Sequence, residues 1–186
     1  MARTAARNIR RRKAQTALDI LKADHAEVKK LFKQFEKLKK DEDNEGMQRV
    51  AQTACKALGI HAQIEEEIFY PALRNAADDA DDALNEADVE HSHVKELVTQ
   101  LENSEPGDEL FEARVKVLSE YVQHHVDEEE STIFAKARKA DFELEALGEQ
   151  IMARKEELGA GEQALDVAAI AGRQQARKRN GQRATR

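Results

Sequence analysis

Four segments of the 186-residue chain carry apolar residues at steps of three and four, the spacing that lines one face of a helix. Over residues 17–40 the stripe is Leu18, Leu21, His25, Val28, Phe32 and Phe35. Over 45–70 it is Met47, Val50, Ala54, Leu58, His61, Ile64 and Ile68. Over 79–103 it is Leu84, Ala87, His91, Val94, Val98 and Leu101, and over 108–138 it is Phe111, Val115, Leu118, Val122, His125 and Ile133. Helices of comparable length with short polar connections predict an all-α, up-down-up-down four-helix bundle. Pro71 is expected to end or kink the second helix, and residues 103–108 to form a turn and a cap before the fourth. A shorter trailing helix is expected over 142–158, on Leu144, Leu147 and Ile151. Eight Gly, two Pro and 4% aromatic residues leave little punctuation for a β fold. No stretch approaches the roughly 20 apolar residues of a membrane span, and the single Cys55 excludes a disulfide scaffold and reads as a buried, inert thiol.

Charge divides the chain. Arg3, Arg7, Arg10, Arg11, Arg12 and Lys13 open it, and Arg173, Arg177, Lys178, Arg179, Arg183 and Arg186 close it. Neither end contains an acid, so all 37 acids lie between them. The expected organisation is a basic arm over 1–16, a bundle with its trailing helix over 17–158, and a mobile basic tail over 159–186. The arm lacks the apolar region of a secretory signal. It is rich in Arg and free of acid up to Asp19, which superficially fits a mitochondrial transit peptide, but it reads first as a solvated arm of a cytoplasmic protein. The ends contain no aromatic and no recognition motif. Solvation or docking on the acidic body therefore ranks ahead of nucleic acid, no membrane partner is expected, and a homodimer is compatible with the pattern.

The chain also repeats. Asp24-His25-x-x-Val28-Lys29 matches Glu90-His91-x-x-Val94-Lys95, and His61-x-x-x-Glu65 matches His125-x-x-x-Glu129. Each half thus holds a helical hairpin with one His on its first helix and a His/Glu pair on its second. His124 with Glu128 offers the same spacing as an alternative, but that register turns Glu120, Asp127 and Ser131 inward, so His125 with Glu129 is preferred. Residues four apart share a helix face, so an H-x-x-x-E pair can aim imidazole and carboxylate at one point. A carboxylate on an apolar face must be neutralised or paired, and a cation does this. Four imidazoles and two carboxylates exceed the donor need of one small ion and suit two, with Glu65 and Glu129 between them. Such a set fits iron, zinc, manganese or copper. Its lack of Cys argues against a structural zinc site. One His on an apolar stripe, or one H-x-x-x-E pair, means little alone; their joint repetition in both halves is what points to metal.

These phrases, DHAEVKKLFKQF, HAQIEEEIFYPAL, EADVEHSHVKELV and HHVDEEESTIF, resemble those of hemerythrin-like (HHE cation-binding) domain proteins over residues 18–138. The resemblance implies a non-haem di-iron centre, oxo- or hydroxo-bridged, with His25, His61, His91 and His125 as terminal ligands and Glu65 and Glu129 as bridging carboxylates. It implies binding or sensing of oxygen, or another diatomic or peroxide ligand, and handling of iron. A di-iron enzyme disproportionating peroxide and a metal-free helical interaction module are the alternatives. One departure stands out. The oxygen carriers have a further His one turn after the position of His91, where this chain has Lys95, which puts simple oxygen carriage in question. Tyr121, one turn before His125, is placed to approach the site, but a packing role ranks first for it. The remaining acids, such as Glu66, Glu67 and Glu130, read as solvated surface.

Overall fold

The computed structural model describes residues 15–140 and 143–159. The basic ends lie outside these residues apart from Gln15, Thr16 and Gly159, and so does Phe142, where the trailing helix was expected to begin. Helix α1 spans Ala17–Lys40, α2 Asn44–Ile64, α3 Tyr70–Ala76, α4 Asp81–Glu102, α5 Phe111–Glu128, α6 Phe134–Ala137 and α7 Leu144–Glu157. Two π-helical turns, Glu65–Phe69 and Glu129–Ile133, join α2 to α3 and α5 to α6. The four long rods so formed are the expected bundle, and the described residues include no strand. None of the described helices is long and apolar enough to cross a membrane.

Local chemistry explains the ends. Thr16 and Asp19 form a capping box on α1, each side chain accepting from the other's backbone N–H. After α1 the Glu42 N–H returns to the Lys39 carbonyl and the Asp43 N–H to that of Leu38. Glu42 sits at φ 51°, the left-handed position that closes a helix this way. The Asp43 carboxylate then caps α2 by accepting from the Gly46 N–H. Two expectations are corrected. Asp108 does not cap the fourth helix; its carboxylate accepts from the Glu105 N–H inside the loop, and α5 starts at Phe111. Nor does Pro71 end the second rod, which runs on to Ala76. The preceding π turn has already opened the α-helical ladder, the Tyr70 N–H reaching back to Glu65, so a residue with no N–H to donate is accommodated there.

The π turns also change which residues face inward. One inserted residue rotates everything after it by about 100°, so Phe69 and Tyr70 are buried where continuous α-helix would have buried Ile68. The core has two parts. Val28, Leu31, Phe35, Val50, Phe111 and Leu118 belong to one; Leu21, Ile64, Phe69, Leu84, Phe134 and Ile151 belong to the other. The inward histidines lie on the same stripes, between the residues of these two clusters. Helix α7 adds Leu147 and Ile151 to the second cluster and packs on α1.

That docking depends on Gly148. A Cβ there would lie 2.4 Å from the Gln15 carbonyl oxygen and 3.0 Å from the Ala17 nitrogen, both backbone atoms. Gly59, exposed on α2, has nothing within 4 Å of such a position. By helix propensity alone both Gly→Ala changes would stabilise by about 1 kcal/mol. Thermal melts are expected to split them: Gly59→Ala raises Tm, and Gly148→Ala lowers it, overpacking costing about 1–3 kcal/mol.

Candidate metal centre

His25 on α1, His61 on α2, His91 on α4 and His125 on α5 each expose 5% of their surface or less, and Glu65 and Glu129 expose 1% or none. Each Glu begins a π turn, four residues after the His of its rod. The His25 Nε2 lies 3.1 Å from the His61 Nε2 and 3.1 Å from the Glu129 Oε2, and the His61 Nε2 lies 3.1 Å from the Glu65 Oε1. Across the bundle the His91 Nε2 is 3.3 Å from the Glu65 Oε2 and 3.3 Å from the His125 Nε2. Two donor groups result, His25/His61/Glu65/Glu129 and Glu65/His91/His125, each with its donor atoms within 4.8 Å of one another. Glu65 presents one oxygen to each group. Glu129, expected to bridge as well, belongs to the first group alone.

The outer side of each ring faces a carboxylate. His25 Nδ1 is 2.9 Å from Glu130, His91 Nδ1 3.0 Å from Glu66, His125 Nδ1 2.7 Å from Glu90, and His61 Nδ1 3.5 Å from Asp24. At His25, His91 and His125 the carboxylate accepts from Nδ1–H and leaves Nε2 to present its lone pair inward, whereas the His61 Nδ1 is within ion-pair reach of Asp24 without a hydrogen bond. Glu66 and Glu130, read from the sequence as solvated surface, are thus orienting groups. Only Glu67 fits the surface reading, paired with Arg154. The signal was available: Asp24 and Glu90 each precede a His, and Glu66 and Glu130 each follow an inward Glu.

Aromatic rings seat two of the imidazoles. Tyr70 stacks on His91 with centroids 5.6 Å apart, and Phe134 stacks on His25 at 5.9 Å. These aromatics hold equivalent places after the two π turns, which is why α-helical counting from the sequence missed Tyr70. Its hydroxyl donates to the Glu65 Oε2 at 3.5 Å. Tyr121 does not approach the centre; it is 45% exposed and stacks on His93. The His124 side chain is 61% exposed against 6% for His125, so the apolar stripe identified the inward ring. Lys95, in the place of a further histidine, turns outward and donates to both oxygens of Glu66 at 2.6 Å. Cys55 is buried, and burial with the nearby Glu102 charge pushes its thiol up to about 12, an inert state.

Electrostatics test whether a cation fits. Burial and the charge of His61 drive His25 down to about 4. Burial works against protonation of His61 too, but Glu65 and Asp24 outweigh it and carry the ring up to about 9. Burial, then the charge of Glu65, pushes the Glu129 carboxyl well above the usual range. Glu65 is held well below it, because His61 and His91 overcome its burial. Two adjacent carboxylates in a dry core cannot both ionise without a cation beside them. Glu65 Oε1 and both Glu129 oxygens are buried and receive no hydrogen bond. Facing Nε2 atoms need either a proton on one ring or a cation between them. Cis ligands at 2.0–2.1 Å from a common ion stand roughly 3 Å apart, which matches the observed separations. The residues fit metal. A cavity of about 20 Å³, space for one water-sized molecule, adjoins the four imidazoles and is otherwise lined mainly by apolar side chains such as Val28, Leu58, Val94 and Val122.

The family model described as the hemerythrin HHE cation-binding domain matches residues 16–137. A stretch of 120 residues is 34% identical to a DNA nickase of Nostoc sp. (strain PCC 7120), covering 64% of this chain and 33% of that protein. The chain therefore spans about a third of the length of this curated relative. The crystal structure of a hemerythrin HHE cation-binding domain-containing protein from Mycobacterium kansasii aligns with a TM-score of 0.65 at 24% identity, over 77% of this chain and 87% of that one. That likeness shows the shared fold.

Two outcomes follow from the geometry. Glu90→Ala is expected to weaken metal affinity by about 10–100-fold, the usual cost of losing the partner that orients a ligand. Glu67→Gln is expected to leave affinity unchanged; equilibrium dialysis against a chelator of known strength compares them. Metal must also displace the protons that His61 and Glu129 carry when their folded pKa values are raised. Binding is therefore expected to release protons and to weaken as pH falls, measurable by calorimetry in buffers of different ionisation enthalpy.

Proposed function

The chain belongs to the hemerythrin HHE cation-binding domain family, and on that premise we propose that it holds a pair of iron ions at which oxygen or a related small molecule binds. The observation that carries this reading is the division of Glu65: one carboxylate, wholly buried, with one oxygen toward His61 and the other toward His91. His25, His61, Glu65 and Glu129 would hold one ion, and Glu65, His91 and His125 the other. The second group has fewer protein donors, and the side chain one turn beyond His91, Lys95, is committed to Glu66. That difference supports ligand binding at the second position. When bound, an iron pair in a nitrogen-rich set supplies reversible redox chemistry toward a diatomic or peroxide.

The protein residues have separate tasks. Glu130, Glu66 and Glu90 orient three of the rings by hydrogen bonds, and Asp24 faces the fourth. Val28, Leu58, Val94 and Val122 line a pocket with room for a molecule no larger than a diatomic or water, and they limit the access of bulk water. The Tyr70 hydroxyl, whose pKa burial, then Glu65 and Glu129, raises well above the ordinary phenol value, keeps its proton and points a long, 3.5 Å hydrogen bond at Glu65. Such a donor steadies the charge on the shared carboxylate.

The test is metal analysis with spectroscopy. Protein produced with iron is expected to contain two iron ions per chain. Admitting air to the reduced, anaerobic sample is expected to bring up near-ultraviolet and visible absorption. A His61→Ala/His125→Ala variant should lose both. No iron, or unchanged iron in that variant, would overturn the reading. Oxygen evolved from added peroxide faster than by free iron would replace binding with turnover. Removing metal with a chelator is expected to lower Tm by about 10 °C, since a ligand at a thousandfold excess over its Kd contributes about 4 kcal/mol.

A further inference from the structure

The four carboxylates behind the histidines form a ring, and each has a second, outward side. Asp24 is paired there with Lys155. Glu66 accepts from Lys95. Glu130 faces Lys22 at 3.5 Å. In each case an ammonium balances the carboxylate from outside. Glu90 is the exception. It occupies the place in the second hairpin that Asp24 holds in the first, but among the described residues its outer oxygen faces no lysine. Instead the Glu90 Oε1 lies 3.5 Å from the His124 Nε2, and that same nitrogen lies 3.5 Å from the Glu128 Oε1. An imidazole thus stands where the other three positions have an ammonium, and a second carboxylate faces the same nitrogen.

Both contacts have the length of an ion pair and are longer than the 2.7–3.2 Å of a direct hydrogen bond from imidazole N–H to a carboxylate. Ligands at 2.0–2.1 Å in tetrahedral array around one ion stand roughly 3.4 Å apart, close to both values. The donor atoms of Glu90, His124 and Glu128 all fall within 4.8 Å of one another. His124 and Glu128 also repeat the H-x-x-x-E spacing of the buried pairs, one residue out of phase and facing water. Glu90 is fixed in place, because its other oxygen accepts from His125 Nδ1 at 2.7 Å.

We propose that His124, Glu128 and the outer oxygen of Glu90 form a third, solvent-facing site for a divalent transition-metal cation, one hydrogen bond removed from His125. One imidazole and two carboxylates suit Zn(II), Fe(II) or Mn(II), with water completing the shell. The cation supplies at Glu90 the positive charge that Lys155, Lys95 and Lys22 supply elsewhere in the ring. This assignment does not depend on which metal fills the buried centre.

The probe is Zn(II), measured by equilibrium dialysis on the full chain as purified, with zinc and the resident metal both quantified. The expected result is one Zn(II) per chain beyond the content of the buried centre. A His124→Ala/Glu128→Gln variant should lose that one ion while its resident metal and melting temperature stay unchanged; both side chains are exposed, so the fold does not depend on them. His93→Ala, which removes the other exposed histidine, should retain it. No additional zinc in the wild-type chain, or equal zinc in the double variant, would overturn the assignment and show an ordinary surface ion pair. An absence of iron from the buried centre would leave this zinc difference standing, so the two readings fail separately.

Discussion

Two carboxylates sit in the driest part of the bundle, and the surrounding structure answers the cost of placing them there. Burying an ion-sized charge costs several kcal/mol even after relaxation. A bundle built only for stability would have filled this layer with Leu or Phe. Here the layer consists of Glu65, Glu129 and four imidazoles, with apolar clusters to either side. A bound cation would turn that liability into a binding site, because it would neutralise the carboxylates that the fold has buried among the imidazoles.

The layer is organised by an approximate two-fold repeat. Each hairpin supplies a His from its first rod, a His/Glu pair from its second, a π turn beginning at the Glu, and an aromatic ring after it. The repeat is broken in few places, and those places carry the chemical differences. Tyr70 has a hydroxyl that Phe134 lacks, so the two donor groups differ in hydrogen bonding. Glu129 stays with the first group while Glu65 is shared. Glu90 faces the His124 imidazole where its counterpart Asp24 faces a lysine.

Much of this was legible in the sequence, for a physical reason. A His or Glu on an apolar stripe conflicts with its neighbours, and six such conflicts at matched positions in two halves specify the inner layer. The choice of His125 over His124 followed from the face of Val122 and Ile133, and their burial agrees with it. What was illegible depends on backbone detail or on contacts between rods. A π turn leaves no periodic mark, so Ile68 was placed inward instead of Tyr70, and Pro71 was expected to end or kink a rod that continues to Ala76. Glu66 and Glu130 resemble solvated acids along their own helices; their place after an inward Glu is the one mark the sequence carries, and the approach of α4 and α1 supplies their partners. Lys95 was read by position as a departure, and the structure adds that it braces Glu66 from outside.

The orienting bonds have a consequence for how the chain folds. Asp24 and Glu90 serve histidines of their own hairpin, whereas Glu66 reaches from the first hairpin to His91 and Glu130 from the second to His25, across 105 residues. Neither hairpin by itself can fix the direction of all its imidazoles. Contacts of such separation form only after loop closure has been met by other interactions. Ring orientation is therefore a late event that reports on the docking of the two halves. A chain could be largely helical, with its hydrophobic clusters formed, and still hold histidines that point nowhere in common.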